Sequence, residues 1–170
     1  MPLISSISLA VNAELTTAAD LKAIPKCTLA YSKLAELATG TGVGQADKLW
    51  FDQRTLAAGA NEDLDLAGVL ADIYGQAVTF ARIKALVVAA VVANTNNVVI
   101  GAAASNQWAT LLGTTGTVTL RPGAFFAAVA GSTDATGYAV TAGTGDLLRV
   151  TNSAGGSTVD YEITIIGASA

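Results

Sequence analysis

From residue 47 onward, apolar and β-branched side chains recur in short segments separated by turns rich in Gly, Asn, Asp and Thr. Segments of this length and composition are typical of β-strands. The predicted strands cover residues 48–56, 62–66, 78–92, 98–102, 117–130, 138–141, 147–151 and 159–166. Since no long helical pattern lies between them, we predict an all-β fold, with antiparallel sheets packed as a β-sandwich or jelly roll.

The first part of the chain alternates between apolar and polar residues only in pieces. Within residues 2–31 the alternation is visible around Leu9 and Val11, and it predicts short strands or an arm. Residues 32–38 fit two descriptions. They could form two helical turns with Ser32 as the N-cap, or a strand that leads into a turn.

Domain organisation follows from chain length and from one Gly-rich connection. Residues 39–45, TGTGVGQ, read as a flexible link. A chain of 170 residues is long enough for one domain with a real core and too short for two large ones. We therefore predict an N-terminal arm or short strands over residues 1–45 and one β-sandwich domain over residues 46–170.

Two predicted strands carry apolar side chains on both faces. In residues 85–92, Val87 and Val91 point away from the face that the other large apolar residues occupy, and Phe125 and Phe126 are adjacent. One face of each sheet in a sandwich normally meets water, so the second face needs a cover. We expect the N-terminal segment or another copy of the chain to cover it. The predicted interface residues are Trp108, Phe125, Val87 and Val91.

Composition and charge exclude several classes of partner. Charged residues make up 13% of the chain, about half the usual quarter. The net charge is −4, and the nine Lys and Arg residues are scattered without a basic stripe, so we expect no nucleic-acid binding. The longest apolar run, residues 85–93, is far shorter than a membrane-spanning helix. The N-terminus lacks a secretory signal pattern, so we expect synthesis in a cytoplasm and no membrane partner.

The chain is poor in the residue types that perform catalysis. It contains no His, which removes Ser-His-Asp and Cys-His systems and most zinc sites. Cys27 is the single cysteine and is expected to be a small core residue. The glycines of residues 39–45 lack the βαβ context of a dinucleotide loop. We therefore predict no enzyme activity, no cofactor and no metal.

Two further groups of residues have a functional interpretation and a structural one. Glu62, Asp63 and Asp65 could hold calcium, but they lack the ligand order of a calcium loop, and solvated strand charges fit better. Trp50 and Trp108 could stack on a sugar, as in carbohydrate-binding sandwiches. Packing in a core or between subunits is the stronger interpretation for both.

Five segments of turns and strands stand out: residues 46–52 (ADKLWFD), 63–68 (DLDLAG), 120–123 (LRPG), 134–147 (DATGYAVTAGTGDL) and 161–168 (YEITIIGA). They resemble those of a group of small virion structural proteins of tailed bacteriophages. The resemblance covers the chain from about residue 45 to the C-terminus. Its motifs have no chemical role, so they indicate a related protein without specifying its function.

The resemblance implies a role in the virion. Among tailed-phage proteins, a β domain of this size and composition is most similar to capsid decoration, or cement, proteins that bind the major capsid protein. Such proteins commonly assemble as homotrimers whose termini reach across neighbours, and residues 1–45 would be the reaching element. A minor tail or fibre-base component is one alternative, and a glycan-binding β-sandwich module is another.

Overall fold

The computed structural model describes residues 2–18, 21, 24–68 and 70–170. The fold is all-β, with 54% of residues in strands and 3% in helix. The strands are β1 (Ser5–Thr16), β2 (Lys26–Thr39), β3 (Gln45–Ala46), β4 (Lys48–Leu56), β5 (Asn61–Asp65), β6 (Leu70–Ala71), β7 (Ala77–Val78), β8 (Arg82–Ala90), β9 (Val98–Gly101), β10 (Thr117–Leu120), β11 (Phe125–Val129), β12 (Tyr138–Ala139), β13 (Leu147–Asn152) and β14 (Val159–Ala168). One helical turn, α1 (Ala109–Leu112), interrupts them.

The body of the molecule is a sandwich of two antiparallel sheets. One sheet has the strand order β11-β8-β14-β4, with β12 also paired to β8, and the other has the order β10-β9-β13-β5. Most consecutive strands of the sandwich fall in opposite sheets, as β4 and β5, β8 and β9, and β13 and β14 do, whereas β9 and β10 are neighbours in one sheet. This eight-stranded order is that of a jelly roll, so the predicted fold class is confirmed.

The core lies between the two sheets and follows directly from the alternation along the strands. Side chains of β13 are buried at every second position, and the same holds over most of β14. Burial at every second position places one face of each strand against the opposite sheet. The largest fully buried members are Tyr161, Phe80, Leu66, Ile83, Leu86, Ile100, Leu148, Ile163 and Ile165.

Two predicted strands are each divided in the structure. The predicted strand 117–130 breaks into β10 and β11, which lie in different sheets. Pro122 and Gly123 occupy the turn between them, where Gly123 has φ 78° and the Ala124 amide donates to the Arg121 carbonyl at 2.8 Å. Proline followed by a glycine of positive φ is the signature of a type II turn. The predicted strand 78–92 likewise divides into the end of β7 and β8.

A β-bulge in β8 places a lysine inside the body. Ala85 pairs with Ile166 and Ile83 pairs with Gly167, so Lys84 is the extra residue and has no partner on β14. Its side chain is fully buried, and Nζ donates to the carbonyl of Asp134 at 2.8 Å. Burial lowers the pKa of Lys84, because a charged amine is poorly solvated there. The contact holds the 131–137 loop on the body.

The N-terminal region forms one long hairpin. β1 and β2 pair in antiparallel register over twelve positions, from Ser5 opposite Leu37 to Thr16 opposite Lys26. Residues 32–38, for which the sequence allowed a helix or a strand, therefore belong to strand β2. We call β1 and β2 together the arm. The arm predicted from the sequence also contains residues 1, 19, 20, 22 and 23, which lie outside the described residues.

The base of the arm packs on the body. β3 continues the arm by pairing in parallel with the end of β2, where Ala38 lies opposite Gln45. A small apolar cluster then joins the two regions. Its buried members are Leu37 of the arm, Ala46 of β3, and Ala85 and Ile166 of the five-stranded sheet, and the partly buried Leu3, Ile7, Leu49 and Val129 pack against them.

Candidate interaction surface

The arm has one apolar face and one polar face. Residues directly opposite each other in an antiparallel pair project to the same side, and the side alternates along each strand. One face carries Ser5, Ile7, Leu9, Val11, Ala13 and Leu15 of β1 with Cys27, Leu29, Tyr31, Lys33, Ala35 and Leu37 of β2. The other carries mainly Ser, Thr, Asn, Ala and Glu, with Leu34 as its large apolar residue.

The apolar face of the arm is covered only at its base. Leu37 is buried and Ile7 is partly buried against the body, whereas every apolar side chain farther out is exposed. We call the exposed large residues of this face the arm row. The arm row consists of Leu9, Val11, Leu15, Leu29 and Tyr31. An apolar face of this length without a cover marks an interaction surface.

The outer face of the five-stranded sheet carries the second uncovered apolar surface. Its first transverse row, Val129, Ala85, Ile166 and Leu49, lies under the base of the arm. The next positions along the same strands are Ala127, Val87, Thr164 and Phe51, and Phe125 with Ala89 follows. We call the exposed or half-buried apolar part of these positions the sheet patch. The sheet patch consists of Phe51, Val87, Phe125 and Ala127.

The predicted interface residues divide between this surface and the core. Phe125 is 67% exposed, Val87 is half-buried on the outer face of the sheet, and Val91 is half-buried just past the end of β8. Trp108 is only 5% exposed and belongs to the core of its own chain. Its Nε1 donates to the Ala139 carbonyl at 2.9 Å, and its ring stands edge-on to Tyr138 with centroids 6.3 Å apart. Trp108 is thus placed by the one-turn helix and β12, away from any exposed surface.

The other predicted sugar-stacking residue is buried too. Trp50 is part of the core cluster. A groove of about 410 Å³ next to it is lined by the exposed rings of Phe51 and Tyr74. The carboxylate of Asp72 in this groove accepts hydrogen bonds from the amides of Tyr74 and Gln76, and thus shapes the β6–β7 turn. Both of these hydrogen bonds are accepted by Oδ1 of Asp72.

Glu62 is bound in a network rather than solvated. Its carboxylate accepts hydrogen bonds from Arg54 Nε at 2.8 Å and from the Tyr161 hydroxyl at 2.7 Å. Arg54 also pairs with Asp52 at 2.9 Å. Burial raises the pKa of Tyr161, and the hydrogen bond to Glu62 raises it further. The hydrogen bond to Glu62 also raises the pKa of Arg54. The network links the edge strands β4 and β5 of the two sheets.

Asp63 and Asp65 point to other partners. Asp63 lies opposite Arg149 in the β5–β13 ladder and forms a two-pronged ion pair with it, with contacts of 2.8 and 2.7 Å. Asp65 accepts a hydrogen bond from the Ala67 amide at 2.9 Å. Across residues 2–18, 21, 24–68 and 70–170, no three His, Cys, Asp or Glu side chains converge in a way that could hold a metal ion. The three acidic residues therefore act on separate structural contacts.

Cys27 and the Gly-rich segment both belong to the arm or its base. Cys27 is exposed on the apolar face of the arm, opposite Leu15, so the expectation that it is a core residue is wrong. The sequence could not reveal this, because the arm has no core of its own. In the 39–45 segment, the Gln45 side chain accepts a hydrogen bond from the Gly42 amide at 2.9 Å. The segment forms the turn that brings β3 alongside β2.

The arm row is the feature that residue-by-residue inspection of the sequence missed. Alternation was visible around Leu9 and Val11, and a matching alternation occurs around Leu29 and Tyr31. Neither segment alone shows that the two pair in a register that aligns their apolar positions. Combining the two alternations into one amphipathic hairpin would have found the face.

Comparison of the chain with family models, with curated proteins and with solved structures finds no significant match. Among the described residues, no helix is long enough and apolar enough to cross a membrane.

Proposed function

We propose that the chain is a non-enzymatic structural protein of a tailed-phage virion, a capsid decoration or cement protein that binds the shell of the major capsid protein. One observation carries the proposal. A self-contained jelly roll extends an amphipathic arm whose apolar face is covered only at its base. A two-stranded hairpin is marginally stable alone in water. The arm is therefore expected to be ordered by a partner surface, as a protein that attaches to a lattice requires.

The choice of lattice rests on the resemblance given by the turn and strand segments of the body. A low charge content of 13% and many small side chains suit a surface that packs closely against neighbours. Binding to the assembled shell, and not to free subunits, would stabilise the particle by mass action. The proposed partners are thus the major capsid protein and other copies of this chain.

A tail or fibre-base position is the second candidate within the virion, because an arm of this kind could equally bind a tail ring. A glycan-binding module has weaker support. Trp50 and Trp108 are both buried, and Asp72 Oδ1, beside the exposed Phe51 and Tyr74, is already bonded to the backbone of its own turn. A sugar site needs free hydrogen-bonding groups around its aromatic rings.

The test compares phage particles that contain the protein with particles that lack it. We expect particles without it to keep their geometry but to release DNA at lower temperature or lower ionic strength. Adding purified wild-type protein should restore stability, and Leu29→Asp protein should not. Leu34→Asp is the matched control, because Leu34 is an exposed leucine of the same strand on the polar face.

Copy number separates the two virion positions. A decoration protein should be present in numbers that match the capsid lattice. A few copies confined to the tail, with heads equally robust in their absence, would reject the cement role and leave the tail component standing. Specific binding of oligosaccharides by a protein that is absent from particles would favour the glycan module instead.

A further inference from the structure

We propose that the arm row of one chain binds the sheet patch of a second copy, so that copies of this chain are joined by arm exchange. The inference extends the proposed function and rests on it, because attachment to a shell gives the association of copies its role. It names the surfaces that join the copies. The shell would then be contacted by an assembly of copies whose arms are already ordered.

The contact within one chain shows that the two surfaces fit each other. At the base of the arm, Ile7 and Leu37 pack on Ala85 and Ile166 of the outer sheet face. Beyond this contact, the arm continues with the arm row and the sheet continues with the sheet patch. Both continuations are exposed, so the two surfaces diverge within one chain. A second copy can extend the same contact.

The sizes of the two surfaces agree. The exposed part of the arm, from the Leu9–Lys33 pair to the Thr16–Lys26 pair, is eight residue pairs long. At about 3.4 Å per residue and about 5 Å per strand, it is roughly 27 Å long and 10 Å wide. Beyond the row under the arm base, residues 159–165 of β14 leave a sheet face of about 24 Å. The free face and the exposed part of the arm are thus of similar length.

The buried area reaches the minimum expected of a biological interface when the exchange is reciprocal. One arm face of this size and the patch beneath it would each lose roughly 270 Å². Two such contacts would bury about 1,000 Å² in a pair of chains, which is about that minimum. A single arm contact would bury only half of this, so the geometry favours exchange over one-sided binding.

The charges on the two surfaces have opposite signs. Among the residues of β1 and β2, Lys33 is the one charged side chain on the apolar face of the arm. The outer face of the sheet carries Glu162 next to Ala89, with Asp160 farther along β14. A lysine on the arm and carboxylates beside the patch orient the contact, because opposite charges attract and a reversed arrangement would not align them.

The experiment measures the mass of the purified full-length chain in solution by light scattering and sedimentation at micromolar concentrations. We expect association, weakened about tenfold or more by Leu29→Asp in the arm row and by Phe125→Asp in the sheet patch. Leu34→Asp and Val43→Asp are matched controls, because both replace exposed apolar residues outside the two surfaces. Circular dichroism and thermal unfolding verify that each variant is folded.

Mixing the two defective variants gives the sharpest readout. Each contact needs one intact arm row and one intact sheet patch, and a mixture of Leu29→Asp and Phe125→Asp chains supplies one such pair per mixed dimer. The mixture should therefore associate more than either variant alone. Association of Phe125→Asp at wild-type strength, or no gain on mixing, would overturn the inference and indicate arm-on-arm pairing.

Solution and particle measurements separate this inference from the proposed function. A wild-type chain that stays monomeric, yet stabilises particles through its arm row, would overturn arm exchange and keep the cement role. A chain that associates through the arm row and sheet patch but leaves particle stability unchanged would do the reverse.

Discussion

The body and the arm use the same sequence pattern with opposite results. In β13 of the body, alternate side chains are buried between two sheets. In β1 of the arm, alternate side chains form an equally apolar face, and most of them are exposed. Alternation therefore specifies which side of a strand is apolar. It does not specify what covers that side, and the described residues of the chain cover the apolar face of the arm only at its base.

The difference between body and arm predicts different effects of mutations in the two regions. A side chain in the body should affect the free energy of unfolding and leave association unchanged. A side chain on the apolar face of the arm should do the opposite. Four variants test this difference. They are taken in order of decreasing effect on the free energy of unfolding.

The largest effect is expected for Trp108→Ala. The indole is 5% exposed, packs against Tyr138 and donates a hydrogen bond to Ala139. Its removal should lower the free energy of unfolding by about 3–5 kcal/mol, measured by denaturant titration. Tyr31→Ala in the arm is the counterpart. It should change the unfolding free energy of the body by less than about 0.5 kcal/mol and should weaken association. Equal changes in the unfolding free energy from both variants would show that arm and body side chains stabilise the body alike.

Asn152→Ala should come next. Asn152 is buried, and its amide donates to the carbonyls of Ala57 and Ser157 at 3.0 and 2.8 Å. The variant removes these two hydrogen bonds and the one that Asn152 Oδ1 accepts from Asn96 at 3.0 Å, so we expect a loss of about 2–3 kcal/mol. Asn12→Ala on the polar face of the arm is the matched control and should be neutral. A neutral Asn152→Ala variant would show that water replaces the amide.

Tyr161→Phe tests a body contact whose contribution to the free energy of unfolding depends on pH. Loss of the hydrogen bond to Glu62 should cost about 1–2 kcal/mol near neutral pH. The pKa of Tyr161 is raised in the folded state, chiefly by burial. The unfolded tyrosine ionises near pH 10, so rising pH above that value favours unfolding of the wild type. The variant lacks this loss. Denaturant titrations from pH 8 to 11 should therefore show the gap between the two proteins narrowing.

Much of the body could be predicted from the sequence, because the information there is local. Strand β4 (Lys48–Leu56) coincides with the predicted segment, and turns of Gly, Asn and Asp bound most of the others. The bulge at Lys84 could not be predicted, since it depends on the register between β8 and β14. The placement of Trp108 depends in the same way on tertiary packing.

The candidate surface was predictable only in part. The apolar character of both faces in residues 85–92 predicted that Val87 lies on a second apolar face and that this face needs a cover. Phe125 followed from its adjacency to Phe126. The arm row did not follow, because it requires the pairing of β1 with β2 across the residues that join them. That these surfaces form an interface stays a prediction.

The smallest effect on unfolding is expected from shortening the arm. Ser8 lies opposite Leu34, so replacing residues 9–33 by an Asn-Gly turn would close the hairpin at that pair. The base cluster around Leu37 and Ile166 stays intact. The unfolding free energy of the body should change by less than about 1 kcal/mol, because the removed side chains that the structure describes are exposed. Association in solution and binding to particles should both be lost. Denaturant titration of the shortened chain measures the unfolding free energy, and light scattering measures association. A body that unfolds without the outer arm would mean that the arm packs on its own chain in solution, and the contrast between the two regions would then fail.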